Sequence, residues 1–408
     1  APWDALICAS QSVKTLVEGL IADYSGALAG IVRGRPEFKP QLPVIPLGVD
    51  AEALSAIPAA AGASFRAEQG IPTDSFTVLY LGRLSYHTKA HPIPMYRALE
   101  QLAARIGRPV TLIEAGWYYN PETEAAFDAA ARAFAPNIRV VKADAREEAV
   151  KQAVLSAADV FISLVDNVQE SFGLTPVEAM AAGLPAISSD SECYRDTVLH
   201  GETGFLIPTV IPPAGAGFEY AWRLAVGQDD YDAHVGVLAH HVTVEIPKAV
   251  DALAQLAEQP DLLKRMGDAA RRRAREIYDW PVIVRAYDAL WRDLEERRGF
   301  YSDEDPGAVP QLSDPFRTFA GFASERIGKG FRVQPVADAE KLLDLLQANP
   351  IASMDMRSLA DGRALVASMR QNGTMFIEQD MSELDVMPSA RTFRALAWML
   401  KMGVIERA

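Results

Sequence analysis

Cysteine is nearly absent from this 408-residue chain, with Cys8 and Cys193 the only two. Two thiols so far apart exclude a disulfide framework and a thiol-rich zinc module, and a reducing, cytoplasmic setting is expected. Long apolar runs are missing too. No hydrophobic stretch reaches the roughly eighteen residues that a spanning helix needs, so no transmembrane segment is expected, and no signal peptide is visible. Basic residues are outnumbered: 40 Lys and Arg face 54 Asp and Glu, for a net charge of −14. A polyphosphate partner needs a basic surface to displace its counterions, so nucleic acid is not an expected partner. Histidine is scarce, with six in all. His87 and His91 have helical spacing, but Pro92 follows and no carboxylate completes a set. His240 and His241 are adjacent and cannot share a helix face. No metal centre and no cofactor are expected.

What the chain has is a regular alternation of strands and helices. Phe76–Leu81 reads as a strand, Ile93–Ile106 as a helix and Val110–Ala115 as a strand. Glu122–Ala133 follows as a helix, Ile138–Val141 as a strand, Glu147–Ser156 as a helix and Val160–Leu164 as a strand. Pro176–Ala182 and Pro185–Ser188 add another helix and strand. Repeated units of this length predict an α/β fold, a doubly wound parallel sheet with helices on both faces. Before it come a short strand (Ala5–Ala9), a helix (Gln11–Ala29) and a hinge strand over Pro43–Asp50. Residues 205–245 are less regular. Helices are expected over Ala249–Tyr278, broken at Gln259-Pro260-Asp261, and from Asp279-Trp280-Pro281 to Arg298. Arg271, Arg272, Arg273 and Arg275 read as a solvated helix face. Tyr301–Ser313 is acidic and carries Pro and Gly, as a linker does, and residues 314–408 read as mainly helical, with no chemistry of their own.

In an open parallel sheet, ligands bind beyond the carboxyl ends of the strands. Those ends carry Gly82-Arg83, Gly116-Trp117, Asp144 and the segment Asp166–Glu170, four polar or glycine-bearing termini that fit one cleft. The last leads through Glu170-Ser-Phe-Gly-Leu-Thr-Pro-Val-Glu178 into a helix, with Thr175 read as its N-cap, Pro176 at the first position and Glu178 three residues after the cap. Free backbone N–H groups and the helix dipole favour an anion there. Arg83, with Lys89 six residues on, adds a bidentate fork and an ammonium suited to a diphosphate leaving group. Each piece also has a plain structural reading: Glu178 as a capping-box residue, Glu170 as a solvated loop acid, Arg83 and Lys89 as surface cations.

Glu-Ser-Phe-Gly-Leu-Thr-Pro-Val-Glu-Ala-Met-Ala-Ala-Gly-Leu-Pro, residues 170–185, closely resembles the E-x7-E signature of retaining glycosyltransferases of family 4, which have the GT-B fold. The resemblance runs from about Asp4 to Leu294 and includes Gly201-Glu202-Thr203-Gly204-Phe205. It implies that Glu170 hydrogen-bonds the hydroxyls of a donor sugar and that Arg83 and Lys89, beside Gly82, hold its diphosphate. The amides around Phe172, Gly173, Leu174 and Thr175 would face sugar and phosphate, and Glu178 would accept from the ribose hydroxyls. Ser10 and the Pro46–Asp50 turn would lie at an interdomain crevice. The reaction implied is sugar transfer from a nucleotide-diphosphate donor to an acceptor hydroxyl with retained configuration, without a metal and without a side-chain nucleophile.

Such an enzyme has an acceptor domain ahead of its donor domain, and here only residues 1–42 resemble the end of one. The expected layout is a 1–42 remnant, a donor-binding Rossmann-like domain at 43–280, a closing helix at 281–300, a linker at 301–313 and a helical domain at 314–408. The acceptor part is expected to be missing, either cut away or carried by a separate chain. Two rival readings are a catalytically silent nucleotide-sugar-binding module or partner subunit, and a two-carboxylate glycoside hydrolase using Glu170 and Glu178. Arg83 and Lys89 suit a phosphate leaving group and argue against the second.

Overall fold

The computed structural model describes residues 4–31, 34, 37–299, 315–352, 356–377 and 386–408. The linker expected at 301–313 lies outside the described residues. Ahead of the main sheet run α1 (Gln11–Ile31), α2 (Ala51–Ser55) and α3 (Ala59–Glu68). Then come β1 (Phe76–Leu84), α4 (Pro92–Ile106), β2 (Val110–Tyr118), α5 (Pro121–Phe134), β3 (Arg139–Ala143) and α6 (Glu148–Ala157). The second half contains β4 (Val160–Ser163), α7 (Leu174–Ala182), β5 (Ala186–Ser189), α8 (Tyr194–Thr197) and β6 (Gly204–Ile207). These are followed by β7 (Thr209–Ile211), α9 (Phe218–Ala225), α10 (Tyr231–Ala239), β8 (Thr243–Val244), α11 (Ile246–Glu258), α12 (Pro260–Arg273) and α13 (Trp280–Arg298). The tail holds α14 (Pro315–Thr318), β9 (Glu325–Arg326), β10 (Arg332–Pro335), α15 (Ala339–Gln347), α16 (Met356–Asn372), β11 (Met375–Phe376), α17 (Val386–Lys401) and β12 (Ile405–Arg407).

Local chemistry explains these elements. All four residues of β4 are buried, as a strand covered on both faces requires. Helix α5 starts where Asn120 accepts from the Thr123 amide at 2.7 Å, with Pro121 behind it. That side chain meets one of the orphan N–H groups of a helix start. Helix α4 starts on His91, whose ring accepts from the Ile93 amide, and stops at Gly107 in the left-handed region.

The main sheet is wholly parallel, in the order β3-β2-β1-β4-β5-β6. This is the doubly wound α/β arrangement the alternation predicts. The order reverses between β1 and β4, where successive connections leave in opposite directions and a crevice opens beyond the strand ends. Alternate residues of β1 serve two cores: Val78 and Tyr80 join one, Leu79 and Leu81 the other.

Three expectations change. Neither Ala5–Ala9 nor Pro43–Asp50 forms a strand; they make isolated bridges, Cys8 to Val44 and Val49 to Asp279. The tail is mainly helical but also supplies short strands: β9 pairs with β7 of the body, and β10 with β11 and β12. Segments of two to four residues carry too little periodicity to read. The arginine run is not simply a solvated face either. Arg271 donates to the Ala182 carbonyl at the end of α7, and Arg273 donates to Asp196 and Thr197 carbonyls at the end of α8. Both satisfy helix-terminal acceptors.

The tail packs into the body. Phe316, Ile327, Val333, Leu342, Trp398 and Met399 belong to the same buried cluster as Val78, Ile93, Leu99 and Ile187.

Candidate functional site

The carboxyl ends of β1 and β4 flank the switch point. β1 continues to Gly82-Arg83-Leu84, pairing Gly82 with Gly116 and Arg83 with Trp117 of β2. A side chain at Gly116 would place its Cβ 1.8 Å from the Gly82 carbonyl oxygen, so only glycine lets the two strand ends close up.

A cleft of about 430 Å³ opens there. Gly82, Arg83, Lys89, Glu170, Phe172, Gly173, Leu174, Thr175 and Glu178, the nine residues singled out by sequence, all line it. Trp117 and Leu47 stand at it as well, both partly exposed. Of the other strand-end acids, Asp144 is exposed and paired with Arg146, and Asp166 is buried against Lys401. Neither lines the cleft. Ser10 is buried and caps α1, accepting from the Val13 amide at 3.3 Å.

Within the cleft, Lys89 Nζ donates to Glu170 Oε2 at 2.6 Å. The Arg83 guanidinium has no ion pair or hydrogen bond among the described residues. Lys151 of α6 donates to Glu178 Oε1 at 3.1 Å and also meets Glu148 at 2.9 Å. Burial alone would lower its pKa, but the two carboxylates raise it on balance.

The start of α7 differs from expectation. The helix begins at Leu174 with Gly173 as its cap residue, and no side chain caps it. Thr175 is therefore inside the first turn, and Glu178 reaches Lys151 instead of folding back in a capping box. Gly173 has φ 68°, and a Cβ there would lie 2.3 Å from Tyr194 Cε1. The amides of Gly173, Leu174 and Thr175, residues that line the cleft, meet no acceptor among the described residues. An unsatisfied helix N-terminus is a ready anion site. Phe172 contributes backbone only, because its ring is buried against Tyr278.

Three residues near the cleft escaped sequence reading. Lys151 sits on a polar helix face with nothing to mark it. Glu192 follows β5, whose end, like that of β6, was left unread; it is buried at φ 50°, and neither carboxylate oxygen has a geometric hydrogen-bond partner among the described residues. Burial pushes its pKa well above the carboxylate range, and the nearby charge of Glu170 adds to this. Lys401 is a single cation in the apolar run Leu396–Ile405, a pattern that signals a buried charge. Cys8 and Cys193 are buried and free. Among the described residues, no three His, Cys, Asp or Glu gather as a metal site, and no helix is long and apolar enough to cross a membrane. A second cavity of about 520 Å³, between α4, α11 and the tail, shares no residue with the cleft.

Residues 63–213, which carry this cleft, match the family model of glycosyl transferases group 1. The match covers about a third of the chain. The phosphatidyl-myo-inositol mannosyltransferase of Mycobacterium tuberculosis is 28% identical over 250 residues, which are 60% of this chain and 53% of that protein. The D-inositol 3-phosphate glycosyltransferase of Corynebacterium glutamicum is 27% identical over 255 residues, 62% of this chain and 52% of that one. The chain thus spans about half the length of these curated relatives. Among solved structures, Anabaena HepE in complex with UDP and glucose superposes with a TM-score of 0.48 at 17% identity. That alignment covers 73% of this chain and 63% of HepE. Sucrose-phosphate synthase from Thermosynechococcus elongatus gives 0.44 at 21% identity, over 72% and 59% of the two chains. The matched residues include every residue of the cleft except Leu47.

Proposed function

We propose that this chain supplies the donor half of a retaining glycosyltransferase, moving a sugar from a nucleotide-diphosphate donor to an acceptor hydroxyl. The observation that carries the proposal is the meeting, at the switch point of a parallel sheet, of three cations, two carboxylates and a free helix N-terminus in one cleft. Arg83 and Lys89 hold the diphosphate and stabilise the charge that develops as it leaves. The amides of Gly173, Leu174 and Thr175 add fixed partial positive charge. Glu170 accepts from the sugar hydroxyls, and Glu178, held by Lys151, accepts from the ribose. With these cations in place the diphosphate charge is met without a metal. The departing phosphate takes the acceptor proton on the same face, so no side chain serves as nucleophile.

Two relatives are named for inositol compounds, but nothing in this cleft selects an acceptor. The acceptor-binding surface includes α1. That helix carries Leu16, Val17, Leu20, Ile21, Leu28 and Ile31, yet Ser12 is its only buried residue. A half-covered apolar helix is a surface suited to a binding partner.

Release of nucleoside diphosphate from a panel of nucleotide sugars tests the reading. Turnover lost in Glu170→Ala supports a transferase. Binding of a nucleotide sugar with no turnover, even with an acceptor domain added, supports the silent module instead. Release of sugar from simple glycosides without a nucleotide would favour the hydrolase.

A further inference from the structure

Asp166 lies at the end of β4, four residues before Glu170, and is 2% exposed. Its carboxylate accepts from the His91 backbone amide at 3.2 and 3.3 Å. His91 is two residues after Lys89. Asp166 thus ties together the two loops whose side chains, Lys89 and Glu170, meet in the cleft. Its charge is met by the Lys401 ammonium, which also donates to the Ala239 carbonyl. Lys401 ends α17, far beyond the matched residues 63–213, and its side chain is fully buried. The tail holds the same loop a second way. His91 Nδ1 accepts from the Ile93 amide, which leaves Nε2–H to donate to the Ile351 carbonyl at 3.4 Å.

We infer that Lys401 is a positioning residue for the donor cleft: it neutralises Asp166 and so fixes the Lys89 and Glu170 loops relative to each other. The inference rests on the donor-site reading above and gives residues 314–408 a role as a brace. A charge so deeply buried would be a liability if the tail were only a tethered domain, since a buried ion is retained only with its counter-charge in place. Burial pushes the Asp166 carboxyl up and the Lys401 amine down, and their mutual attraction opposes both shifts.

The test compares wild type, Lys401→Met and the neutral pair Asp166→Asn/Lys401→Met. Each is titrated calorimetrically with UDP, GDP and ADP and followed by hydrogen exchange in peptides spanning 85–93 and 166–173. Lys401→Met, confirmed folded by circular dichroism, is expected to bind the preferred diphosphate about tenfold or more weakly, as misplacement of binding groups does. Exchange should quicken in both loops and not in α5. The neutral pair, with no charge left unbalanced, should recover to within about threefold of wild type. Should Lys401→Met not fold, Asp166→Asn serves as the unbalanced variant with the same expectations. Wild-type binding with equal affinity in the unbalanced variant, or a neutral pair as weak as it, overturns the positioning role alone. No binding by wild type overturns the donor reading itself.

Discussion

Lys89 Nζ lies 2.6 Å from Glu170 Oε2, joining the cation assigned to the diphosphate with the carboxylate assigned to the sugar. The pair is partly sheltered, with side chains 31% and 12% exposed. Without a ligand each group satisfies the other. A donor that places phosphate beside Lys89 and hydroxyls beside Glu170 gives both a second partner without separating them, so the ion pair prepares the cleft instead of blocking it.

Glu170→Gln separates the two roles. Removing the charged acceptor should weaken a nucleotide sugar by about 2 kcal/mol, the worth of a hydrogen bond to a charged group. The nucleoside diphosphate alone should bind as well as before or better, because Lys89 is released from its partner. Paired calorimetric titrations read the difference, and equal losses for both ligands would remove Glu170 from the sugar.

Gly173 sets the direction of the α7 amides. Gly173→Ala meets both a left-handed backbone and the Tyr194 ring 2.3 Å from its Cβ. A destabilisation of about 1–3 kcal/mol in urea unfolding is expected. Diphosphate binding should fall with it, since the first turn must move. A variant of unchanged stability and affinity would show that the turn has no such constraint.

Much of this was legible in the sequence, for identifiable reasons. The parallel strands announced themselves through buried runs such as Val160–Ser163, and the cleft residues through their places at strand ends. The start of α7 misled because Thr175-Pro176 imitates a cap, while the real determinant is a backbone angle at Gly173. The strands of the tail were too short for any period. Lys401 and Asp166 lie 235 positions apart, and no local pattern couples residues at that distance.

Glu114 offers a test of the core behind the cleft. It is buried on β2, with the hydroxyls of Tyr96 and Tyr118 donating to its carboxylate. Burial raises its pKa from 4.5 to about 6, against the opposing effect of those hydroxyls. As pH rises through this window the unfolded chain loses its proton first, so the folded state loses stability, by about 2 kcal/mol once above the folded value. Glu114→Gln lacks this loss. Its stability relative to wild type should improve by about that amount between pH 4 and pH 7, measured by urea unfolding. A difference that does not change with pH would contradict the raised pKa.

Whether Arg83 and Lys89 hold a nucleoside diphosphate at the switch point is settled by calorimetric titration of this chain with UDP, GDP and ADP. The double variant Arg83→Ala/Lys89→Ala is titrated alongside. The expected result is micromolar binding of one diphosphate, about −8 kcal/mol, lost in the double variant while the fold is kept. Equal binding by the double variant would place the diphosphate elsewhere.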